Sequence, residues 1–478
     1  MPGHAPIYEA LKGYQEEHCL RLHMPGHAGG RGGLRHDFAA FMELDVTEIP
    51  GLDDYHVPAG VIDEARSLLA RAFGSRESYF LVNGASSGIH ALFLALPAPG
   101  CRVLLGRNAH RAALSGLILS GAIPEYIPCT THPRLGQALG VTVESVEQAV
   151  GKYPDTRAVL ITSPGYFGTS SDIGRIGALC REKGIMLWVD EAHGSHFAFH
   201  PAYPETAMAG GAQAVVHGLH KSLPVLNQGA CLHVGEEFDG RERLAHSISL
   251  LSTTSPSYPL LASIDLARAF MEEEGENRLQ ESLELSAKFT ARMAAIPGLH
   301  CYTAAELKEV PGVIGVDPLK VWIGVEGLSI DGEQLATILR EEYGIQVELS
   351  GRESILAMVS LFHTGQDWER FTRALEETAN RYAGIGRRQP VPPPVPSAQV
   401  VLSPREAFFS RKRRVKLDDS TGMISGEMVA PYPPGIPCLL PGERLTAEMV
   451  EYLRYLRQAR VSRHGCHDRE LNYLLVIE

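Results

Sequence analysis

Ala214-Val215-Val216-His217-Gly218-Leu219-His220-Lys221-Ser222-Leu223-Pro224 decides how this chain is read. A short apolar run with the look of a buried strand stops at His217. Lys221 then stands in a loop at the inner end of that strand. Desolvating an ammonium there is costly unless its pKa falls or the amine is used covalently. An amine so placed is the group that forms Schiff bases with carbonyl cofactors. A loop lysine alone is ordinarily a solvated one, so its company upstream carries the meaning.

Working outward, Met186-Leu187-Trp188-Val189 is a second buried strand, ending at Asp190-Glu191-Ala192-His193-Gly194-Ser195-His196. Tyr79-Phe80-Leu81-Val82 is a third, running into Asn83-Gly84-Ala85-Ser86-Ser87-Gly88 and a helix over Ile89–Leu96. Small residues at a helix N-terminus offer N–H groups and hydroxyls to an anion, which makes Gly84, Ala85 and Ser86 a candidate phosphate cradle. The turn has neither the GxGxxG of a dinucleotide site nor the GK[ST] of a nucleotide site. Val103-Leu104-Leu105 leads to Asn108-Ala109-His110-Arg111, and Ala158–Thr162 ends at Ser163-Pro164-Gly165-Tyr166-Phe167-Gly168-Thr169. Strands alternating with helices predict an α/β fold with mostly parallel pairing and ligands gathered at the carboxyl ends of the strands.

The 478 residues exceed one compact core, and several domains are expected. We divide the chain into an N-terminal segment near the site (1–60), a large cofactor-binding domain (61–265) and a small α/β domain (266–388). A proline-rich linker (389–399) and a C-terminal α+β domain (400–478) complete it. Within the small domain the pattern predicts strands at Val321–Ile323 and Gln346–Glu348 around a helix over Gly332–Tyr343. A long helix is expected from about Leu260 to Ile296.

A formal charge of −12 argues against nucleic acid or an anionic membrane as the main partner. Eight scattered cysteines without a CxxC pair suit reduced thiols in a cytoplasm. The start of the chain lacks the pattern of a secretory signal, and no run of about 18 apolar residues is present to span a bilayer. Arg411-Lys412-Arg413-Arg414 reads as a solvated face. Arg463-His464-Gly465-Cys466-His467 lacks the paired spacing of a zinc site, and no metal is expected.

The strand-end residues combine into one chemistry. Asp190 closes a very hydrophobic strand and needs a cationic partner, which a protonated pyridine nitrogen would be. Pyridoxal phosphate asks for a lysine, an acid for its ring nitrogen and an anion site for its phosphate. Lys221, Asp190 and the Gly84–Ser87 turn supply these, and His110 adds a flat ring to stack on the pyridine.

Several long motifs, in order, carry a resemblance: His23-Met24-Pro25-Gly26-His27, LDDYHVPAGVI (52–62), LVNGASSG (81–88), NAHRA (108–112), SPGYFGT (163–169), VDEAHGSHF (189–197), His220-Lys221, TTSPSYP (253–259) and PYPPGIPCLLPGE (431–443). The chain resembles the ornithine/lysine/arginine decarboxylases, fold-type I pyridoxal-phosphate enzymes, in their short bacterial form. The resemblance implies Lys221 as the Schiff-base lysine, Asp190 as the ring-nitrogen partner and His110 as the stacking ring. It implies phosphate contacts from Ala85, Ser86 and the turn at Gly218, with Ala192, His193, Thr254 and Ser255 also at the cofactor. Active sites of this fold type lie at a dimer interface, so Thr254 and Ser255 are expected to reach the neighbouring subunit, in a homodimer or dimer of dimers. Two positions depart from the family pattern: Gly218, where serine is usual, and Ala28, where lysine is usual.

The expected reaction is decarboxylation of a basic amino acid, arginine favoured, with lysine or ornithine as alternatives, in a cytoplasmic enzyme of polyamine biosynthesis. The proton returned to Cα would come from His220 or Lys221. Glu427, Asp53 and Asp54 are the loop acids proposed for the distal cation, with Tyr166 beside the substrate. Rival readings are an aminotransferase using Arg352 for the substrate carboxylate, a β-eliminating lyase, and a catalytically silent homologue.

Overall fold

The computed structural model describes residues 3–31, 35–384, 393–397, 399–432, 435–459 and 461–478. The chain condenses into two compact units, Met1–Ala95 with Leu187–Leu279, and Leu96–Met186 with Gln280–Glu478.

In the first unit the aspartate strand, Met186–Asp190, lies parallel to the lysine strand, Ala214–His217. Trp188 faces Ala214, Val189 faces Val215 and Asp190 faces Val216. Trp188, Val189, Val215 and Val216 are fully buried. Covered on both faces, such strands read as continuous apolar runs, which is why they are visible in the sequence. The next two strands alternate in direction. Ala230–Val234 runs antiparallel to the lysine strand, and Glu77–Leu81 antiparallel to Ala230–Val234. The connection between the lysine strand and Ala230–Val234 contains one 3-10 turn, Leu219–Lys221, in place of the crossover helix a parallel return needs. The helix expected from Ile89 begins earlier, at Ala85, so the small-residue turn is itself the first helical turn of Ala85–Leu94.

A buried ionic knot ties the N-terminal helix Pro6–Glu16 to the long helix Tyr258–Met293. Asp265 Oδ2 accepts from the Ile7 N–H at 2.9 Å, and Asp265 Oδ1 accepts from Arg268 Nη2 at 2.7 Å. Arg268 also donates to the His4 carbonyl at 2.5 Å and to Glu272 at 2.6 Å.

The second unit holds three parallel strands, with Arg102–Gly106 between Thr156–Thr162 and Ile123–Ile127. It also holds a four-stranded antiparallel sheet around Lys320–Gly324 and Ser354–Met358. Gly332–Tyr343 is helical as its pattern predicts: Asp331 and Gln334 form a capping box, and Gly344 ends it at φ 62°. The strand predicted at Gln346–Glu348 is displaced to Leu349–Ser350, because pairing with Leu356 and Ile355 sets the register. The C-terminal segment has its own core, built on the helix Ala447–Gln458 and the strand pair Lys412–Lys416 with Tyr473–Ile477. Of the proline-rich linker, residues 389–392 and Ala398 lie outside the described residues, as do Pro433 and Pro434 of the carboxyl-terminal loop.

Asp265 and Arg268 are 1% and 3% exposed, so removing Asp265 leaves the Arg268 charge in the core with only Glu272 and the His4 carbonyl as partners. Asp265→Ala is expected to cost about 3–5 kcal/mol, read as a lowered midpoint in urea unfolding.

Candidate active site

Lys221 closes the 3-10 turn, its N–H donating to the Gly218 carbonyl at 2.9 Å. Its Nζ lies 3.1 Å from His193 Nε2. His193 belongs to the turn after the aspartate strand, where Asp190 Oδ1 accepts from the Ala192 N–H at 3.2 Å. Asp190 and His193 are both buried. Parallel pairing of two neighbouring strands therefore brings the lysine, the acid and an imidazole to one strand end.

His220 is committed to its own loop: its Nδ1 and its backbone N–H both address the Gly229 carbonyl, at 3.0 and 3.2 Å. Ser195 and Ser222 hydroxyls pair at 2.8 Å, joining the two turns a second time. Gly218 has an ordinary φ of −91°, so its backbone does not require glycine. A Cβ there would stand 3.2 Å from the Ala192 carbonyl oxygen and 3.3 Å from Cδ and Cε of Lys221. The glycine gives the lysine stem its room.

At the small-residue turn Gly84 takes φ 80° and no side chain caps the helix behind it. Ser87 closes the turn, donating from N–H and hydroxyl to the Gly84 carbonyl at 3.0 and 2.7 Å. Ala85 and Ser86 form the first helical turn, whose amide dipoles favour an anion by about 0.3–1 kcal/mol, up to about 2 when partly buried. Two residues that sequence reasoning missed stitch loops to this turn. Gln228, at φ 83°, donates to the Val82 carbonyl at 2.5 Å, and Asn83 Oδ1 accepts from the Thr253 N–H at 3.2 Å. A left-handed non-glycine has no local signature. Thr254 and Ser255 are exposed on the loop that Asn83 holds.

The loop after residue 52 is fastened to the same face. Tyr55 donates to the Phe80 carbonyl at 2.7 Å, Tyr258 donates to the Asp53 carbonyl at 2.7 Å, and His56 Nε2 bonds the Thr253 carbonyl at 3.0 Å. Asp53 organises this loop from within. Its Oδ1 accepts from the N–H groups of Asp54 and Ala59, and its Oδ2 from those of Gly60, Ile62 and Asp63. Asp54 is exposed, with Oδ1 accepting from the His56 N–H at 2.7 Å.

The other candidates belong to the second unit. His110 is exposed and caps the helix Arg111–Ser120, its Nδ1 accepting from the Ala112 N–H at 3.2 Å. The Tyr166 hydroxyl donates to Glu348. Glu427 is buried, accepting from the N–H groups of His467 at 2.5 Å and Leu475 at 2.7 Å; burial raises its pKa against those bonds. Arg352 donates to the Ala459 carbonyl. Of the three acids proposed from sequence, Asp53 and Glu427 thus have their oxygens occupied by backbone.

The α/β scaffold and this lysine–acid–anion arrangement define a pyridoxal-phosphate enzyme. A buried carboxylate for a ring nitrogen, an amine beside it and an uncapped helix N-terminus fit that cofactor's three functional groups. Models of the Orn/Lys/Arg decarboxylase major domain and C-terminal domain match residues 5–367 and 395–466. An arginine decarboxylase of Halalkalibacterium halodurans is 35% identical, over 99% of this chain and 97% of its own length. The constitutive lysine decarboxylase of Escherichia coli is 24% identical, over 94% of this chain and 77% of its own. In structure the chain is similar to a Francisella novicida lysine decarboxylase, with a TM-score of 0.87 at 21% identity, covering 100% of this chain and 81% of that one. The chain belongs to the Orn/Lys/Arg decarboxylase family, and its cofactor is pyridoxal phosphate. All eight cysteines are free, and among the described residues no helix is long and apolar enough to cross a membrane.

Desolvation lifts the Asp53 carboxyl, but backbone N–H bonds from Ala59, Asp54, Gly60 and Ile62 outweigh it and set its pKa below the ordinary 3.8. The fold thus favours the ionised form. Its contribution is complete above the unfolded value and disappears as pH falls through the lower folded value. Asp53→Asn should cost about 1–2 kcal/mol at pH 7. In urea unfolding the gap from the wild type should close as pH falls below the ordinary carboxylate range, and a gap constant with pH would refute the carboxylate's role.

Proposed function

We propose that the chain decarboxylates a basic L-amino acid, arginine before lysine or ornithine, releasing CO₂ and the matching amine for polyamine formation in the cytoplasm. One observation carries this reading: Lys221, held by His193, stands at the strand end shared with Asp190, in a chain related over 99% of its length to arginine decarboxylases. Bound there, pyridoxal phosphate supplies an electron sink for the pair left on Cα when the carboxylate departs as CO₂.

The chain's residues divide the remaining work. The Lys221 amine would hold the cofactor through its aldehyde. Asp190 would keep the ring nitrogen protonated, the largest electrostatic contribution from the protein. Gly84, Ala85 and Ser86, with the turn at Gly218, would receive the phosphate. His193, 3.1 Å from Nζ, takes or returns a proton there, so Lys221 is the donor to Cα in preference to His220, whose Nδ1 is engaged by Gly229. Asp54 is the acid we assign to the distal cation, since Asp53 and Glu427 serve the backbone. Thr254 and Ser255 complete the neighbouring subunit's site in a homodimer or a dimer of dimers.

Purified protein loaded with cofactor should show its visible band, and Lys221→Ala should abolish that band and lower turnover by roughly 10³-fold or more, about 4 kcal/mol. Arginine should yield CO₂ and agmatine faster than lysine or ornithine yield their amines. Ammonia or a keto acid without CO₂ would overturn the decarboxylase reading in favour of an aminotransferase or lyase. No turnover with an intact band would favour a silent homologue.

A further inference from the structure

On the other side of the aspartate strand lies a group the reaction does not use. Side chains alternate across a strand, so Glu191 points away from the side that Asp190 serves. There it bonds His217 Nε2 through Oε2 at 2.8 Å, while its Oε1 accepts from the Ala207 N–H at 2.9 Å. His217 faces Cys231 across the antiparallel pair, and His233 follows Cys231 by two residues on the same strand face. One ligand atom from each of His217, Cys231 and His233 lies within 4.8 Å of the others. All three residues are at most 1% exposed.

We propose that His217, Cys231 and His233 form a buried site for one zinc(II) ion.

Two features of the surroundings point to a ligand. Each imidazole is oriented by a second partner on its other nitrogen, as ligating histidines are: Glu191 on Nε2 of His217, and Ser78 Oγ, at 2.7 Å, on Nδ1 of His233. The nitrogens left for a metal are His233 Nε2, 3.0 Å from Cys231 Sγ, and His217 Nδ1, which is buried without any hydrogen-bond partner. An orphaned polar atom in a core costs about 1–3 kcal/mol, and coordination removes that cost. Zinc takes nitrogen at about 2.0–2.1 Å and thiolate sulfur at about 2.3 Å, so its ligand atoms stand about 3.3–3.6 Å apart, within small side-chain shifts of these positions. Three protein ligands leave a fourth position to one water.

Charge selects the ion. Binding expels the Cys231 proton, and one thiolate with the Glu191 carboxylate balances a divalent cation, whereas copper(I) would leave a net negative charge in the core. Phe73 stacks on His233 with centroids 4.5 Å apart and lies 5.0 Å from His217, covering the group from that side. Zinc here would fasten the lysine strand to Ala230–Val234, four residues before Lys221. No CxxC or HxxxH spacing announces the site, because two strands paired in space assemble it.

Holoenzyme produced with added zinc, and enzyme refolded from urea with zinc or cobalt(II), would be compared with Cys231→Ser and His233→Gln by elemental analysis and absorption. The expected result is about one zinc per wild-type chain and less than a tenth of that in Cys231→Ser. A thiolate-to-cobalt charge-transfer band should appear in the wild type alone, and chelation during refolding should lower the melting midpoint of the wild type but not of the variant. Should the variants fail to fold, the cobalt band of the wild type decides. Wild type without zinc or cobalt band, Cys231→Ser retaining equal zinc, or copper(I) bound in its place would overturn the proposal. Decarboxylation is measured separately, so either reading can fail without the other.

Discussion

Three parallel backbone pairings, Trp188 with Ala214, Val189 with Val215 and Asp190 with Val216, are the constraint on which the site depends. They bring two strand ends level, so that the turn after Asp190 and the turn holding Lys221 meet. From that alignment follow the His193–Lys221 contact, the Ser195–Ser222 bond and the proximity of Gly218 to the Ala192 carbonyl. A one-residue slip would send Asp190 to the opposite face and replace it with Glu191. The apolar residues between the two strands therefore fix the chemistry as well as the core.

The two-residue period of a strand also separates two polar worlds. On one side stands Asp190, the acid proposed for the cofactor; on the other, Glu191, His217, Cys231 and His233 are buried beneath Phe73. Buried polar groups persist only when they are satisfied. On the cofactor side Asp190 has one backbone donor and an expected pyridinium. On the far side Glu191 and Ser78 satisfy one nitrogen of each imidazole. Around the mouth, loops distant in sequence are held by side chain to backbone bonds from Tyr55, Tyr258, His56, Asn83 and Gln228. They give exposed loops a fixed shape with little apolar burial.

Much of this was legible in the chain itself. Buried strands of Val, Ile, Leu and Trp stand out because both faces are covered, and the lysine, the acid and the small-residue turn each follow such a strand directly. The helix Gly332–Tyr343 is readable from its Asp331 cap and Gly344 stop. What misled were groups whose role depends on unseen partners. Asp53 and Glu427 look like loop carboxylates available to a cation, yet each accepts backbone N–H bonds, two of them to Glu427 from residues forty and forty-eight positions away. The short strand near Glu348 moved because its register is chosen by Ser354–Met358 and not by its own pattern.

The sequence by itself determined the alternation of strands and helices, the chemistry-bearing residues at strand ends and the family to which they belong, since these are written in local patterns of apolar period and turn residues. Only the tertiary structure decided which of those residues meet. It set the antiparallel return after Lys221, committed Asp53 and Glu427 to the backbone, gave His193 to the lysine, and gathered His217, Cys231 and His233. The physical reason is that hydrogen bonds and strand registers join residues by distance in space, and one sequence read alone carries no record of that distance.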